Sequence, residues 1–185
     1  MQRLFFGLTI DSNNKQLIAN WRSQYIKQDV NFVDPDNFHI TLAFLGLCNQ
    51  QKVEQIVAAV NNSSAEQFSV ESFSVELSHL GFWQQPKILF LGCEHCPEQL
   101  QVLAEQLKSL ALSLDIPQQQ RPYMPHLTLA RKAKSLEPIN TSNNFNIEPI
   151  SLTFDTFCLF ESVSTPSGVK YDVIHCWGLD TTNAS

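Results

Sequence analysis

Apolar residues follow two patterns along this chain, short unbroken runs and helical spacings. The apolar run 4–10 ends at the polar cluster 11–14, which predicts a buried strand followed by the start of a helix. Apolar residues at helical spacing predict three helices, marked by Leu17, Ile18, Trp21 and Tyr25, by Val53, Ile56, Val57 and Val60, and by Leu100, Leu103, Leu107, Leu110 and Leu114. Pro97 stands where a first-turn proline of the third helix belongs.

Short apolar or alternating runs bounded by turn residues predict the remaining strands. They are residues 39–46, 68–77, 88–91 and 126–130, and the segments 152–160 and 169–177, which form a closing hairpin. We expect an aromatic loop holding Phe82 and Trp83 before residues 88–91, and a polar loop over residues 132–148. Strict alternation in the last strand puts five side chains on one face: Val169, Tyr171, Val173, His175 and Trp177.

The order strand, helix, H-x-T-L-A strand occurs twice. Arg3 and His39 are 36 positions apart, and Ile88 and His126 are 38 positions apart. This near-equal spacing predicts two related lobes, each contributing one histidine-bearing strand. We therefore expect residues 1–185 to form a single domain of two intertwined lobes. Its fold class is α+β, a bilobal pseudo-two-fold duplication with two mainly antiparallel sheets flanking a central cleft and the helices outside.

Composition limits the class of protein. With 43% hydrophobic and 16% charged residues, the 185-residue chain has enough apolar surface for a packed core, which excludes a disordered protein. A net charge of -6 argues against a protein that coats nucleic acid by neutralising phosphates, although a local basic pocket for a small phosphate-bearing ligand stays compatible. The run 4–10 is far shorter than the roughly 20 residues of a membrane span and lacks a signal-peptide cleavage site. We expect a cytoplasmic protein.

The cysteines and two of the histidines are not assigned to the candidate site. The five cysteines are an odd number in a chain without a secretory signal, so we expect them to be reduced, with no disulfide framework. Residues 93–96 (Cys-Glu-His-Cys) have the spacing of half a zinc knuckle or of a redox pair, but no second ligand pair follows. We predict no metal site. His79 and His175 are expected to be structural or surface residues.

The paired H-x-T tripeptides carry the candidate chemistry. On a strand, residues i and i+2 share a face, so His39 projects with Thr41 and His126 with Thr128. Two imidazoles across a cleft can act as general acid and general base near neutral pH, and the two hydroxyls can bind non-bridging phosphate oxygens. A single strand histidine is more often structural, but the duplication favours catalysis. The pattern predicts metal-free phosphodiester transfer.

With these motifs, the sequence resembles the two-histidine (2H) phosphoesterases, in particular the bacterial RNA 2',3'-cyclic phosphodiesterases, historically called 2'-5' RNA ligases. The resemblance rests on residues 3–6, 39–46 and 121–131. It implies a bilobal fold with both H-x-T strands lining one cleft, and hydrolysis of a 2',3'-cyclic phosphate to a 2'-phosphomonoester without metal or other cofactor. In that scheme His39 is the proton donor to the leaving 3'-oxygen and His126 the proton acceptor from water. Ligation would be the same chemistry in reverse, without ATP; the sequence has no G-x-x-x-x-G-K-[ST] loop.

Other residues are weaker candidates for substrate binding. Arg131 and Arg121 belong to the most basic stretch of the chain, but strict alternation puts Arg131 on the face away from the histidines unless the strand bends. Tyr123, Trp83 and Phe5 are candidates for stacking on a base, with core packing the alternative role of Phe5.

Two alternative functions use the same cleft. One is a cyclic phosphodiesterase for a small nucleotide such as ADP-ribose 1'',2''-cyclic phosphate, and the other is a non-catalytic nucleotide-binding module. In each case the partners are RNA ends or small nucleotides, with no membrane or protein partner implied, and we expect a monomer.

Overall fold

The structure is a computed structural model that describes residues 1–26, 29–63, 70–134, 148–166 and 168–180. Three α-helices lie in these residues: α1 (Ser12–Tyr25), α2 (Gln50–Asn62) and α3 (Glu98–Ser113). The strands of the same residues are β1 (Gln2–Thr9), β2 (Asn31–Phe32), β3 (His39–Cys48), β4 (Phe73–Leu77), β5 (His79–Trp83), β6 (Ile88–Gly92), β7 (His126–Arg131), β8 (Ile150–Phe154), β9 (Thr156–Thr165) and β10 (Gly168–Gly178). A short 3-10 helix, Pro35–Asn37, precedes β3.

Two antiparallel sheets form the framework. The larger sheet has eight strands in the order β10-β9-β1-β3-β7-β6-β5, with β2 beside β7, and the smaller sheet pairs β4 with β8. One half of this sheet is β10, β9, β1 and β3 and the other is β7, β6 and β5, and the halves meet where β3 pairs with β7 at Ile40 and Leu127. The α+β class with mainly antiparallel sheets is confirmed.

Each helix begins after a residue that suits a helix start. The side chains of Asp11 and Asn49 accept hydrogen bonds from the backbone N–H groups of Asn14 (3.0 Å) and Lys52 (2.8 Å), which caps α1 and α2. Pro97 is the N-cap of α3, one position before the predicted first turn. Proline is tolerated there because a helix start does not use its missing N–H.

The core lies on one face of the larger sheet. Ile40 and Leu127, the central pair, are fully buried, and α3 packs against β3. The helix contributes its apolar stripe to this core, including Leu100, Leu103 and Leu107. The opposite face at the β3–β7 junction therefore carries the residues that alternate with the central pair.

Two strand predictions are wrong because of pairing that the local pattern does not reveal. Phe82 and Trp83 lie in β5 instead of a loop, since they pair with Leu89 and Ile88 of β6. The run 152–160 is two strands separated at Asp155, of which β8 pairs with β4 while β9 pairs with β1 and β10. Of the loop predicted over residues 132–148, positions 135–147 lie outside the described residues.

The closing hairpin is confirmed, but its last strand does not keep one face. A register shift between Val173 and His175 interrupts the β9–β10 ladder. Tyr171 therefore packs against Phe5 on one side of the sheet, whereas Trp177 packs against Phe6 on the other. The predicted single face is wrong because a β-bulge breaks the period of two.

Cys158 and Cys176 form a disulfide between β9 and β10. They are direct partners in the antiparallel register, with Cα atoms 4.1 Å apart. The expectation that all five cysteines are reduced is wrong for this pair, because a cysteine count does not reveal which residues face each other across two strands. Separately, none of the helices in the described ranges has the length and apolarity needed to cross a membrane.

Candidate active site

The two H-x-T tripeptides lie side by side at the centre of the larger sheet. Antiparallel pairing of Ile40 with Leu127 places His39 beside Thr128 and Thr41 beside His126. Since the paired Ile40 and Leu127 both point into the core, the four flanking side chains share the opposite face. The structure thus brings together the four predicted catalytic residues, with each histidine diagonal to the other.

Both histidines are oriented by the same kind of hydrogen bond. Nδ1 of His39 lies 2.7 Å from the carbonyl oxygen of Asn37, and Nδ1 of His126 lies 2.8 Å from that of Met124. A carbonyl oxygen only accepts, so each Nδ1 carries a hydrogen and donates it. The other nitrogen, Nε2, is directed away from the residue's own backbone. In His39 it accepts a hydrogen bond of 3.0 Å from the hydroxyl of Thr41.

Aromatic side chains enclose His39. Its ring centroid lies 4.8 Å from that of Phe5, 4.8 Å from that of Tyr171 and 6.1 Å from that of Phe160. Phe5 also stacks on Phe160 at 5.0 Å and is only 3% exposed. Phe5 therefore packs against the His39 ring and has no exposed face on which a base could stack. Its role is core packing and not base stacking.

His126 has a more open aromatic neighbourhood. Trp83 meets its ring edge-on at 4.5 Å, and Phe90 does so at 5.8 Å. Trp83 also packs against Phe90 at 4.3 Å and stays partly exposed. Of the three aromatic candidates for base stacking, Trp83 is the one that lies against a predicted catalytic histidine and also presents surface to solvent.

The surroundings lower the pKa of both histidines. Burial is the largest cause for His39, and together with the charges of His126 and Arg131 it lowers the pKa to about 4, against the opposing effect of the Asn37 carbonyl. Burial and the charge of Arg131 also lower the pKa of His126, against the Met124 carbonyl. In the ligand-free protein at neutral pH both rings are therefore neutral, with Nε2 available as a base.

A β-bulge brings Arg131 to the histidine face. In the β6–β7 ladder Leu89 pairs with Ala130 and Phe90 with Thr128, so Leu129 is the extra residue. Arg131 consequently shares its face with Thr128, and its charge lowers the pKa of both histidines. Strict alternation fails here, and the exception named in the sequence analysis, a bend in the strand, places Arg131 on the histidine face.

Arg22 holds the bulge in place. It is 6% exposed, and its Nη1 donates to the carbonyl of the bulged Leu129 (3.2 Å) and to that of Val33. The N–H of Val33 donates to the same Leu129 carbonyl at 3.0 Å. The guanidinium carbon of Arg22 lies 4.7 Å from the ring centroid of Phe32 and 4.9 Å from that of Phe38. Sequence analysis missed Arg22, because a helical arginine gives no sign of burial by itself.

The other substrate-binding candidates have structural contacts. Tyr123 donates from its hydroxyl to the carbonyl of Thr41 at 3.0 Å, which links the loop before β7 to the site strand β3. Arg121 is exposed and its guanidinium bonds Gln119 in the same loop. Tyr123 therefore positions backbone, and the contacts of Arg121 do not bring it to the histidines.

Asn37 is a second residue that sequence analysis missed. Its side-chain amide is 8% exposed, donates to the carbonyl of Val169 (2.6 Å) and accepts from the N–H of Tyr171 (2.9 Å). Asn37 is the last residue of the 3-10 helix, which the Asp34 carboxylate caps by accepting from the N–H of Asp36 at 2.9 Å. Asn37 thus links β10 to the carbonyl that orients His39. The sequence feature that could have indicated a role for Asn37 is its position two residues before His39.

The Cys93–Cys96 segment lies outside this chemistry. Burial raises the pKa of both thiols, that of Cys96 to about 11, so both are protonated at neutral pH and are poor metal ligands or nucleophiles. Within the described part of the chain, His, Cys, Asp and Glu side chains form no group of three or more that could hold a metal ion.

The fold and the paired motifs together define a two-histidine phosphoesterase, with both H-x-T strands on one face of a shared sheet. Comparison with known proteins agrees. Residues 10–165 match the 2'-5' RNA ligase superfamily, and the chain belongs to that superfamily.

Similar proteins cover almost the whole chain. A protein of Escherichia coli strain K12 named RNA 2',3'-cyclic phosphodiesterase is 29% identical over 96% of this chain and 97% of its own length. A protein of the same name from Methanocaldococcus jannaschii is 25% identical over 95% of this chain and 99% of its own. The crystal structure of E. coli LigT complexed with 3'-AMP superposes with a TM-score of 0.83 at 29% identity, covering 96% of this chain and 98% of that one.

Proposed function

We propose that this protein hydrolyses the 2',3'-cyclic phosphate at RNA ends to a 2'-phosphomonoester by metal-free general acid and base catalysis. The observation that carries the proposal is the antiparallel pair of H-x-T strands, which places two imidazoles and two hydroxyls on one face. The names of the relatives and the 3'-AMP complex of the structural relative support a nucleotide phosphate as the group bound there.

The geometry suggests a place and a role for each group. A cyclic phosphate over the Ile40–Leu127 pair has one histidine on each side. Nε2 of His126 takes a proton from a water molecule, whose oxygen forms the new bond to phosphorus. The bond from phosphorus to the 3'-oxygen breaks, and His39 donates a proton from Nε2 to that oxygen. Arg131 and the two threonine hydroxyls stabilise the charge on the non-bridging oxygens.

Substrate charge supplies the required protonation. Both histidines are neutral in the ligand-free protein at pH 7, yet the acid must be protonated. An anionic phosphate beside His39 and His126 raises the pKa of both, because an opposite charge favours the protonated imidazole. In the proposed scheme His39 is the ring that gains a proton as the substrate binds, and its Nδ1–H bond to Asn37 keeps the ring in place.

ATP-independent 2'-5' ligation is the same displacement with a different nucleophile. An RNA 5'-hydroxyl takes the place of the water molecule and attacks the cyclic phosphate while His126 accepts the hydroxyl proton. The bond to the 3'-oxygen breaks as in hydrolysis, so no nucleotide triphosphate is consumed. The description of the superfamily supports including this activity in the proposal.

The direct test is turnover of adenosine 2',3'-cyclic phosphate by purified protein in EDTA, with the monoester identified by chromatography against 2'-AMP and 3'-AMP. We expect 2'-AMP as the product at the same rate with and without EDTA. Loss of activity in EDTA that zinc or manganese restores would contradict the metal-free mechanism, and 3'-AMP as product would contradict the assignment of the leaving oxygen.

Small nucleotides are the second candidate substrates. The net charge of -6 disfavours extensive contact with an RNA backbone. Comparing kcat/KM for ADP-ribose 1'',2''-cyclic phosphate with that for an oligonucleotide bearing a 2',3'-cyclic end separates the two. A non-catalytic binding module would bind 3'-AMP and turn over neither.

A further inference from the structure

A third histidine lies on the same face of the sheet as His126. Strand register pairs His126 with Gly92 and Gly92 with His79, and directly paired residues share a face. Neighbouring strands lie about 4.8 Å apart, so the backbones at His79 and His126 are about 9 to 10 Å apart across β6. His79 therefore lies two strands away from the predicted catalytic base His126, with Gly92 between them in the row perpendicular to the strands.

The glycine between them lets the His79 ring extend toward His126. A Cβ atom placed on Gly92 would lie 2.5 Å from Cε1 and 3.0 Å from Nε2 of His79, so the imidazole covers the surface that a side chain at position 92 would fill. The ring also meets Phe90 edge-on at 6.1 Å, and Phe90 in turn contacts His126 at 5.8 Å. The three rings form a continuous aromatic surface beside the site.

The polar atoms of this imidazole are available to a ligand. His79 is exposed, and neither of its ring nitrogens has a hydrogen-bond partner among the residues that the structure describes. An exposed imidazole without a partner among these residues can donate a hydrogen bond to a ligand or accept one from it.

We propose that His79 is a substrate-binding residue that donates a hydrogen bond to the phosphodiester on the 5' side of the terminal nucleotide. This inference rests on the proposed function, since it needs the cyclic phosphate to lie between His39 and His126. In an RNA end, the next phosphate is one ribose away from the cyclic phosphate, and a mononucleotide lacks it. His79 thus makes the protein select an RNA end over a cyclic mononucleotide.

Three substrates isolate the contact. They are adenosine 2',3'-cyclic phosphate, the same nucleotide with a 5'-phosphate, and the dinucleotide ApA with a 2',3'-cyclic end. For the wild-type protein we expect a lower KM for the second and third. In His79→Ala their KM should rise about 5- to 20-fold, as for the loss of one hydrogen bond to a charged group, with little change in kcat or in the KM of the first. His79→Gln, which keeps a donor, should recover part of the difference.

His175→Ala is the matched control. This histidine is also exposed, but it packs on Trp177, which contacts Phe6 on the opposite face of the sheet. The substitution His175→Ala should leave the KM values of all three substrates unchanged.

Other outcomes overturn the proposal in distinguishable ways. An equal loss with all three substrates in His79→Ala would mean that His79 acts by packing against Phe90 and His126. A loss with the dinucleotide alone would assign the contact to the preceding nucleoside, and no loss would exclude a contact. If the wild-type protein turns over none of the three substrates, the proposed function fails. Calorimetric Kd values for 2'-AMP and adenosine 2',5'-bisphosphate then test His79 alone. We expect the two Kd values to differ in the wild-type protein and to be the same in His79→Ala.

Discussion

The two halves of the site share a motif and differ in what surrounds it. His39 is enclosed by Phe5, Phe160 and Tyr171, whereas His126 has Trp83 beside it and an open face that continues beyond it. The two halves therefore share the chemical groups and the way that each Nδ1 is held. The half around His39 is built to fix a side chain, and the half around His126 leaves room for a ligand.

The rows of residues that cross the sheet show the same difference. In the first half, Thr41 pairs with Gly7, and Gly7 pairs with Cys158 of the disulfide. In the second half, His126 pairs with Gly92, and Gly92 pairs with His79. Each row therefore has a glycine beside the motif, but a covalent link lies beyond the first glycine and the exposed imidazole of His79 beyond the second.

The residue that orients each histidine is the third difference. Asn37 and Met124 both accept from Nδ1 through their backbone carbonyls. Only Asn37 also has a side chain bonded to a neighbouring strand, while Met124 is 53% exposed. His39 is therefore tied to β10, and His126 depends on its own loop.

The largest effect expected is the loss of either histidine. His39→Ala and His126→Ala should each lower kcat by about 10² to 10⁴. A p-nitrophenyl leaving group needs no protonation, so it should recover much of the activity of His39→Ala and little of that of His126→Ala. Rates with both kinds of ester check this, and equal recovery of the two variants would contradict the assigned roles of acid and base.

Removal of the Arg131 charge should come next. Arg131→Met should lower kcat about 10- to 100-fold with natural and p-nitrophenyl substrates alike, because the guanidinium serves the phosphoryl oxygens and not the leaving group. It should also raise the pKa of both histidines, followed by NMR of the imidazole protons, since a nearby positive charge is lost. Lys132→Met, at the exposed neighbouring position, should change neither quantity, and an unchanged kcat in Arg131→Met would remove Arg131 from the site.

Asn37 tests the difference in how the histidines are held. Asn37→Ala keeps the carbonyl that His39 uses but removes both side-chain bonds to β10, so we expect kcat to fall about 10-fold with KM nearly unchanged. Met124→Ala is the control at the equivalent position and should lower kcat by no more than about two- to threefold, because His126 uses the backbone carbonyl of Met124 and not its side chain. Comparable losses in the two variants would mean that the halves are held alike.

A separate effect is expected on the pH dependence of stability. The pKa of His39 is about 4 in the folded protein and near 6.5 in an unfolded chain, so the unfolded state binds a proton first as the pH falls. The contribution of neutral His39 to the free energy of unfolding is fully present above pH 6.5 and decreases as the pH falls toward 4. At pH 5 the decrease is on the order of 2 kcal/mol. Urea unfolding at pH 7 and pH 5 measures it, and His39→Gln should show a smaller difference between the two. An identical difference in both proteins would show that burial does not lower the pKa of His39.

Local patterns in the sequence were sufficient for the elements and for the chemistry of the motifs. Apolar spacing predicted α1, α2 and α3, and the duplicated tripeptide predicted that His39 shares a face with Thr41 and His126 with Thr128. These features depend on residues within one helix or strand, where the period of 3.6 or 2 decides which side chains lie together.

Only the tertiary structure decided the features that depend on register between strands. They are the bulge at Leu129 that turns Arg131 to the site, the facing of Cys158 and Cys176, the bonds of Asn37 to β10, and the row that joins His79 to His126 through Gly92. Register is set by which strands meet and where an extra residue is inserted, and one inserted residue moves every later side chain to the other face. A single chain read in order contains the period of each strand but not the alignment between them.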